Sequence, residues 1–98
     1  MSDTVRIRIN WGSFAKERKA SRCTVLGVPA FLHHSLINRR RWTVTEAETG
    51  CAMGHGTTSE AAIAKAQERL RANGGIESVP ELRRKARADG RAFLEVIG

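Results

Sequence analysis

Apolar and polar residues alternate at the start of the chain. Val5, Ile7, Ile9 and Trp11 are separated by single polar residues, among them two arginines. A period of two is typical of a β-strand that buries one face and leaves the other in water. The pattern therefore predicts a first strand in an antiparallel or mixed sheet, with arginines on its solvated side.

The next stretch, Phe14 to Arg22, has no apolar period that would require a helix. Its side chains are mostly charged, and a single acidic residue, Glu17, stands among the cations Lys16, Arg18, Lys19 and Arg22. Charge without periodicity is typical of a solvated segment. We predict a mobile basic loop here.

Two short apolar segments follow this loop. Cys23 to Val28 has the composition of a strand, and Pro29 is predicted to end it or to place it at a sheet edge, because proline donates no ladder hydrogen bond. The segment from Phe31 to Ile37 predicts another strand with apolar residues on both faces, so which of its two histidines points inward stays open. Residues 38–40 can then connect it to the next strand as a hairpin.

The most strongly specified unit runs from Asn38 to Asn73. After the arginine triplet at 39–41, residues 42–45 alternate as a strand, 46–50 form a turn and 51–56 a short second arm. Thr57 and Glu60 have the spacing of a capping box, which satisfies open backbone N–H groups at a helix start. The unit therefore predicts a β-hairpin that feeds a helix over 57–73, with an apolar stripe of Ala62, Ile63, Ala66 and Leu70.

A second helix is predicted after the Asn73-Gly74-Gly75 stop. Ser78 and Glu81 form another capping box around Pro80, and the helix should run to about Ala88. Its inward positions are Val79, Leu82 and Ala86, and its outward positions are Arg83, Arg84, Lys85 and Arg87.

A closing strand is predicted at the end of the chain, over 91–97. Asp89 and Gly90 are predicted to turn the chain into it, and Phe93 with Val96 or Ile97 should reach the core. Together these elements predict an α+β fold in one compact domain over residues 1–98. Its antiparallel or mixed sheet has four or five strands, with one main helix packed across it and a second, shorter helix.

Charge points to the kind of partner. Seventeen Lys and Arg against ten Asp and Glu give a formal net charge of +7. Arginine outnumbers lysine, and its guanidinium can fork onto phosphate or carboxylate oxygens. We expect an anionic partner, although an inert soluble protein could carry the same charge. The candidate binding residues are Arg39, Arg40, Arg41, Lys16, Arg18, Lys19, Arg22, Arg83, Arg84 and Arg87.

The arginine triplet is the most informative part of this set. Three adjacent cations repel one another at a turn, where Asn, Gly or Asp are the usual choices. Trp42 beside them is interpreted as a core residue of its strand, with stacking on an unpaired base as the alternative.

Other functional classes find less support. Cys23, Cys51, His33, His34 and His55 lack the paired short spacings of a zinc site, and neither cysteine lies in a nucleophile signature. We expect a protein that is not an enzyme and that uses no cofactor or metal. With two cysteines, no apparent signal peptide and no apolar run of membrane-spanning length, we expect a cytoplasmic protein with reduced thiols.

The hairpin-helix unit resembles known proteins through Trp42-Thr43-Val44, Thr49-Gly50, the run Met53-Gly54-His55-Gly56-Thr57, Glu60-Ala61 and Leu70. This pattern is similar to the three-stranded DNA-binding domain at the N-terminus of phage integrases. That resemblance implies a sheet in the major groove with Arg39, Arg41 and Thr43 as contacts. The chain also looks like small phage- and prophage-encoded α+β proteins, among them anti-CRISPR inhibitors, which implies binding to host nucleoprotein machinery without catalysis.

We therefore expect a small, basic, non-enzymatic binding module that engages nucleic acid or a nucleoprotein complex through the arginine-rich hairpin. The alternative is a phage-type, anti-CRISPR-like inhibitor. It would dock on an acidic protein surface of a host defence or nucleic-acid-processing complex.

Overall fold

The computed structural model describes residues 4–11, 14–88 and 93–98. Within these ranges the chain forms five strands, two helices and a sixth strand: β1 (Thr4–Trp11), β2 (Phe14–Val25), β3 (Val28–His34), β4 (Trp42–Glu46), β5 (Ala52–Gly56), α1 (Ser59–Ala72), α2 (Val79–Ala88) and β6 (Phe93–Val96). A short 3₁₀ helix, Gly75–Ser78, joins the two α-helices. The α+β fold is thereby confirmed.

All strands of the described chain lie in one sheet, in the order β5-β4-β3-β2-β1-β6. Every neighbouring pair is antiparallel. The sheet has six strands, so the predicted four or five was too low.

The stretch predicted to be a basic loop, residues 14–22, is part of a strand. Phe14–Val25 is a single strand of 12 residues. It pairs with β1 from Thr4↔Ser21 to Trp11↔Phe14 and with β3 from Ala20↔His33 to Val25↔Val28. Hydrogen bonds from neighbours on both sides hold this strand, and such pairing leaves no trace in local hydrophobic periodicity. The loop prediction was wrong for this reason.

The predicted strand over 23–28 is interrupted by a two-residue turn. Leu26 and Gly27 both have positive φ, 48° and 87°, as a type I′ hairpin turn requires. Pro29 therefore lies near the start of β3, between β2 and β4, and does not mark an edge. Its carbonyl accepts a hydrogen bond from the Ala47 N–H at 3.1 Å.

Helix α1 packs on the outer face of the sheet, above β4 and β5. Gly54 and Gly56 permit this approach, since a Cβ added at Gly54 would lie 2.5 Å from the Ala66 nitrogen. The N-cap of the helix is Thr58, one residue after the predicted Thr57: the Thr58 hydroxyl accepts from the Ala61 N–H, and the helix itself begins at Ser59. The outer core contains Val25, Val28, Ala30, Val44, Ala62, Ala66, Leu70 and Val79.

The inner face of the sheet curves around a second core. This core contains Ile7, Ile9, Ala20, Phe31, Leu36 and Leu94, with Val5 and Ala47 packed against it. In a flat sheet β4 and β6 would lie about 19 Å apart, four strand spacings. The turn after β4 nevertheless contacts β6, where the Leu94 N–H donates to the Glu48 carbonyl at 3.3 Å.

The second helix differs from its predicted form in two respects. The Ser78 hydroxyl donates to the Gly75 carbonyl at 2.7 Å within the 3₁₀ helix, so the predicted capping box at Ser78 was wrong. Val79 and Ala86 are buried as predicted, but Leu82 is 49% exposed, and Arg83, predicted outward, faces Glu46.

In the closing strand the core residue is Leu94. Val96 is 49% and Ile97 37% exposed, which corrects the prediction that one of them reaches the core. The predicted turn at 89–90 and the side chain of Phe93 lie outside the described residues.

Candidate nucleic-acid interface

The segment between β3 and β4, residues 35–41, is named here the arginine loop. Its backbone is held by its own side chains. The Ser35 hydroxyl accepts from the N–H groups of Ile37 and Asn38, at 3.2 and 3.3 Å. The Asn38 amide oxygen accepts from the Arg40 N–H at 3.0 Å. Backbone hydrogen bonds from Ser35 N to Arg41 O and from Arg41 N to Asn38 O close the loop.

Two cations of β2, Lys16 and Arg18, hold the backbone of the arginine loop through hydrogen bonds. Lys16 Nζ donates to the Leu36 carbonyl at 2.9 Å, and Arg18 Nη2 donates to the carbonyls of Ser35 and Leu36 at 3.4 and 3.3 Å. Burial, followed by the charge of Arg39, lowers the pKa of Arg18 from its usual value. These two predicted binding residues therefore support the loop, and Leu36 fastens it to the inner core.

The loop displays three arginines and one isoleucine to solvent. Arg39, Arg40 and Arg41 are exposed, and Ile37 is 89% exposed. No carboxylate among the described residues forms an ion pair with any of the three arginines. Six of the thirteen other described cations do form ion pairs with carboxylates: Arg6, Arg8, Lys65, Arg83, Arg84 and Arg87.

All three histidines lie at this end of the sheet, close to the loop. His33 points inward and is 1% exposed, and His34 is exposed. His33 Nδ1 must donate to the His34 carbonyl, at 2.6 Å, because a carbonyl only accepts. Burial lowers the pKa of His33. Burial also lowers that of His55, and the charges of Arg41 and Arg69 act in the same direction.

Trp42 is occupied within the fold. Its ring is partly buried against the outer core, and its centroid lies 4.0 Å from that of His34. Thr43, which the integrase resemblance implies as a DNA contact, is only 5% exposed and its hydroxyl lies 3.0 Å from His55 Nδ1. Thr43 is therefore not displayed to an external partner in the way that this resemblance implies.

The remaining predicted cations lie elsewhere. Lys19 faces the side of β2 opposite to Arg18, because successive side chains alternate along a strand. The Arg22 guanidinium lies 5.6 Å from the centre of the Phe31 ring.

The α2 cations lie at the far end of β4, about 13 Å from its first residue at ~3.3 Å per residue. Arg83 contacts Glu46 at 2.9 Å, Arg87 contacts Glu48 at 2.8 Å, and Arg84 contacts Glu81 at 2.6 Å. The structure thus brings Lys16, Arg18, Arg39, Arg40 and Arg41 together and places the other predicted residues apart.

One residue of this surface was not identified from sequence. Ile37 was assigned to the end of a strand. The signal for Ile37 lay in its neighbours: Ser35 and Asn38 are residue types whose side chains hydrogen-bond nearby N–H groups and stop strands.

A metal or thiol site finds little support in this geometry. Over residues 4–11, 14–88 and 93–98, no three His, Cys, Asp or Glu side chains gather where they could hold a metal ion. Burial raises the pKa of the Cys23 thiol, which disfavours the reactive thiolate.

Comparison of the chain with protein-family models, curated protein sequences and solved structures finds no match. Neither helix of the described chain is long and apolar enough to cross a membrane.

Proposed function

We propose that this protein is a non-enzymatic binding module that engages nucleic acid, alone or within a nucleoprotein complex, through the arginine loop. The observation that supports this most is the contrast in pairing. Arg39, Arg40 and Arg41 are adjacent and exposed, and none has a carboxylate partner among the described residues, whereas six of the thirteen other described cations have one. Their charge is available to an external anion.

The rigidity of the loop adds to this argument. A flexible loop loses conformational entropy when it binds, and a preorganised loop loses less. Here Ser35, Asn38, Lys16 and Arg18 fix the backbone before any partner arrives. Arginine donates hydrogen bonds to phosphate oxygens in a planar fork, so three guanidinium groups carried on a fixed backbone suit a phosphate backbone.

Fluorescence anisotropy tests the proposal. A labelled random DNA duplex, a single strand and an RNA of equal length are titrated with the protein over about 50–300 mM salt. On duplex DNA, log K falls against log salt with a slope of about 0.9 per phosphate contact. The variant Arg39→Ala/Arg40→Ala/Arg41→Ala should therefore reduce the slope by as much as about 2.7.

A charge-matched control separates the loop from the net charge. Lys65→Ala/Arg84→Ala/Arg87→Ala removes the same charge from exposed, ion-paired positions. It should keep most of the affinity and slope. Equal slopes for the two variants, or no binding by the unmodified protein at low salt, would reject the proposal.

Ile37 supports a second candidate function, an inhibitor that docks on an acidic protein surface. Arginine is enriched among residues that dominate protein interfaces, and an apolar side chain beside it can fill a pocket on a partner. An isoleucine that is 89% exposed on a fixed loop has this arrangement. Ile37→Ala should then abolish capture of a nuclease-treated protein partner, while leaving the salt slope on nucleic acid unchanged.

A further inference from the structure

A groove lies between α1, α2 and the first residues of β5. Its volume is about 390 Å³, within the range of ligand-binding clefts. The apolar residues that line it include Met53, Leu70, Val79, Leu82 and Ala86.

The groove leaves the inward face of α2 incompletely covered. Leu82 stands between Val79 and Ala86 on one stripe of the helix, and those two are each only 6% exposed. Leu82 itself is 49% exposed at the groove. The helix is tied to the last residue of β4 by the pair of Arg83 with Glu46, and to the turn after β4 by the pair of Arg87 with Glu48. It therefore packs at the side of the core and leaves Leu82 partly in water.

The polar residues around the groove favour an anionic occupant. Arg69 and Lys85 line it, and neither forms an ion pair with a carboxylate of the described chain. Glu46 is the acidic residue among the lining residues, and its oxygens accept from Arg83, the Glu48 N–H and the Thr49 hydroxyl. Its negative charge is therefore already compensated.

An unpaired strand edge adjoins the same groove. In the described sheet β5 is the end strand and pairs only with β4. Ala52 and Met53, at its start, also line the groove. Backbone N–H and C=O groups on such an edge can take an added strand from another chain.

We propose that this groove and the β5 edge together bind an extended peptide with apolar and acidic side chains. Its backbone continues the sheet along β5, an apolar side chain covers Leu82, and a carboxylate meets Arg69 or Lys85. A second copy of this chain fits the groove less well. Its β5 would bring no acidic residue, and the Arg69 and Lys85 side chains of the two copies would face each other. The site lies at the opposite end of β4 from the arginine loop, so the proposal goes beyond nucleic-acid binding.

The test selects peptides of about ten residues, long enough to span a strand, from a random phage-displayed library on the full chain. Binding of the selected peptides is then compared in two variants. Leu82→Asp/Lys85→Glu alters the groove, and Ile76→Asp/Arg71→Glu makes the same changes at exposed positions outside it; Ile76 is 50% exposed. Circular dichroism verifies that both variants fold, and Lys85→Glu alone replaces the first if it does not.

We expect peptides rich in apolar and acidic residues. The groove variant should raise their Kd at least about tenfold, the control should leave it within about twofold, and bound peptide should slow hydrogen exchange of the β5 amides. If no peptide is enriched, if both variants bind equally, or if Leu82 proves to be covered by self-association, the proposal is overturned. Binding of duplex DNA is measured in parallel and should not change in the groove variant, so failure here is distinct from failure of the nucleic-acid proposal.

Discussion

Replacing Gly54 with alanine tests how α1 is seated on the sheet. The added Cβ would lie 2.5 Å from the Ala66 nitrogen, 2.7 Å from the Ala62 oxygen and 3.0 Å from the Ala66 Cα. These are backbone atoms of the helix, so no side-chain rotation can relieve the contact. Since ordinary van der Waals contacts between carbon atoms begin at about 3.5 Å, α1 would have to move away from β5 by about 1 Å.

The expected cost follows from that movement. Overpacking of a core costs about 1–3 kcal/mol, and shifting α1 also loosens Ala62, Ala66 and Leu70 against the outer core. We expect the free energy of unfolding to fall by about 3 kcal/mol, from a total of about 5–15 kcal/mol for a typical domain. With a urea m-value of about 1–3 kcal/mol/M, the unfolding midpoint should fall by at least about 1 M.

Urea unfolding followed by circular dichroism measures this change. Gly98→Ala is the matched control, because the nearest heavy atom to its added Cβ is the Arg6 Cβ at 3.6 Å, an ordinary contact. It should change stability by less than about 0.5 kcal/mol. If Gly54→Ala proved equally mild, α1 would not rest on the β5 backbone as described, and the position of the groove beside it would be wrong as well.

Three further changes test the helix start, the loop and the buried histidine. Thr58→Ala should lower the free energy of unfolding, measured in urea, by about 1 kcal/mol, whereas Thr57→Ala should leave it almost unchanged. A larger effect at Thr57 than at Thr58 would show that Thr57 caps the helix, as the sequence predicted. Arg18→Gln should speed hydrogen exchange of the arginine loop, and the same change at Arg22 should not. Because burial lowers the pKa of His33, the unfolded chain takes up the proton first, and stability should fall as pH drops through about 6.5. Burial lowers the pKa of His55 as well, so His33→Asn should reduce the fall in the urea midpoint between about pH 7 and 5 without removing it; an unchanged pH profile would exclude His33 as a cause.

The sequence predicted best the elements whose signals are local. The unit from Trp42 to Leu70 combines an alternating strand, a turn and a helical stripe, and each lies within a few residues of its predicted place. Alternation likewise predicted β1, with Ile7 and Ile9 buried. In these segments, the residues that fix the conformation are adjacent to the residues that adopt it.

The sequence failed where distant residues decide. Strand β2 depends on pairing with β1 and β3, and its charged side chains gave no apolar period. The roles of Lys16 and Arg18 depend on the carbonyl groups of residues 35 and 36, which approach them only after β2 and β3 have paired. Lys16 and Arg18, predicted to bind a partner, instead hold the loop in place in the structure. Composition alone could not distinguish a cation that binds a partner from one that supports the loop.

The distribution of carboxylates explains why this basic chain has two separate surfaces. Glu46 and Glu48 lie at one end of β4 and neutralise Arg83 and Arg87, which leaves a groove whose free cations are Arg69 and Lys85 among the described residues. The other end of β4 meets the arginine loop, where no described carboxylate intervenes. The strand spans about 13 Å from Trp42 to Glu46, and all of its residues after Trp42 are buried, so it is a stiff spacer between the two ends. Because the two surfaces lie at opposite ends of this strand, the fold suits simultaneous contact with a phosphate backbone and an acidic peptide, if both proposals hold.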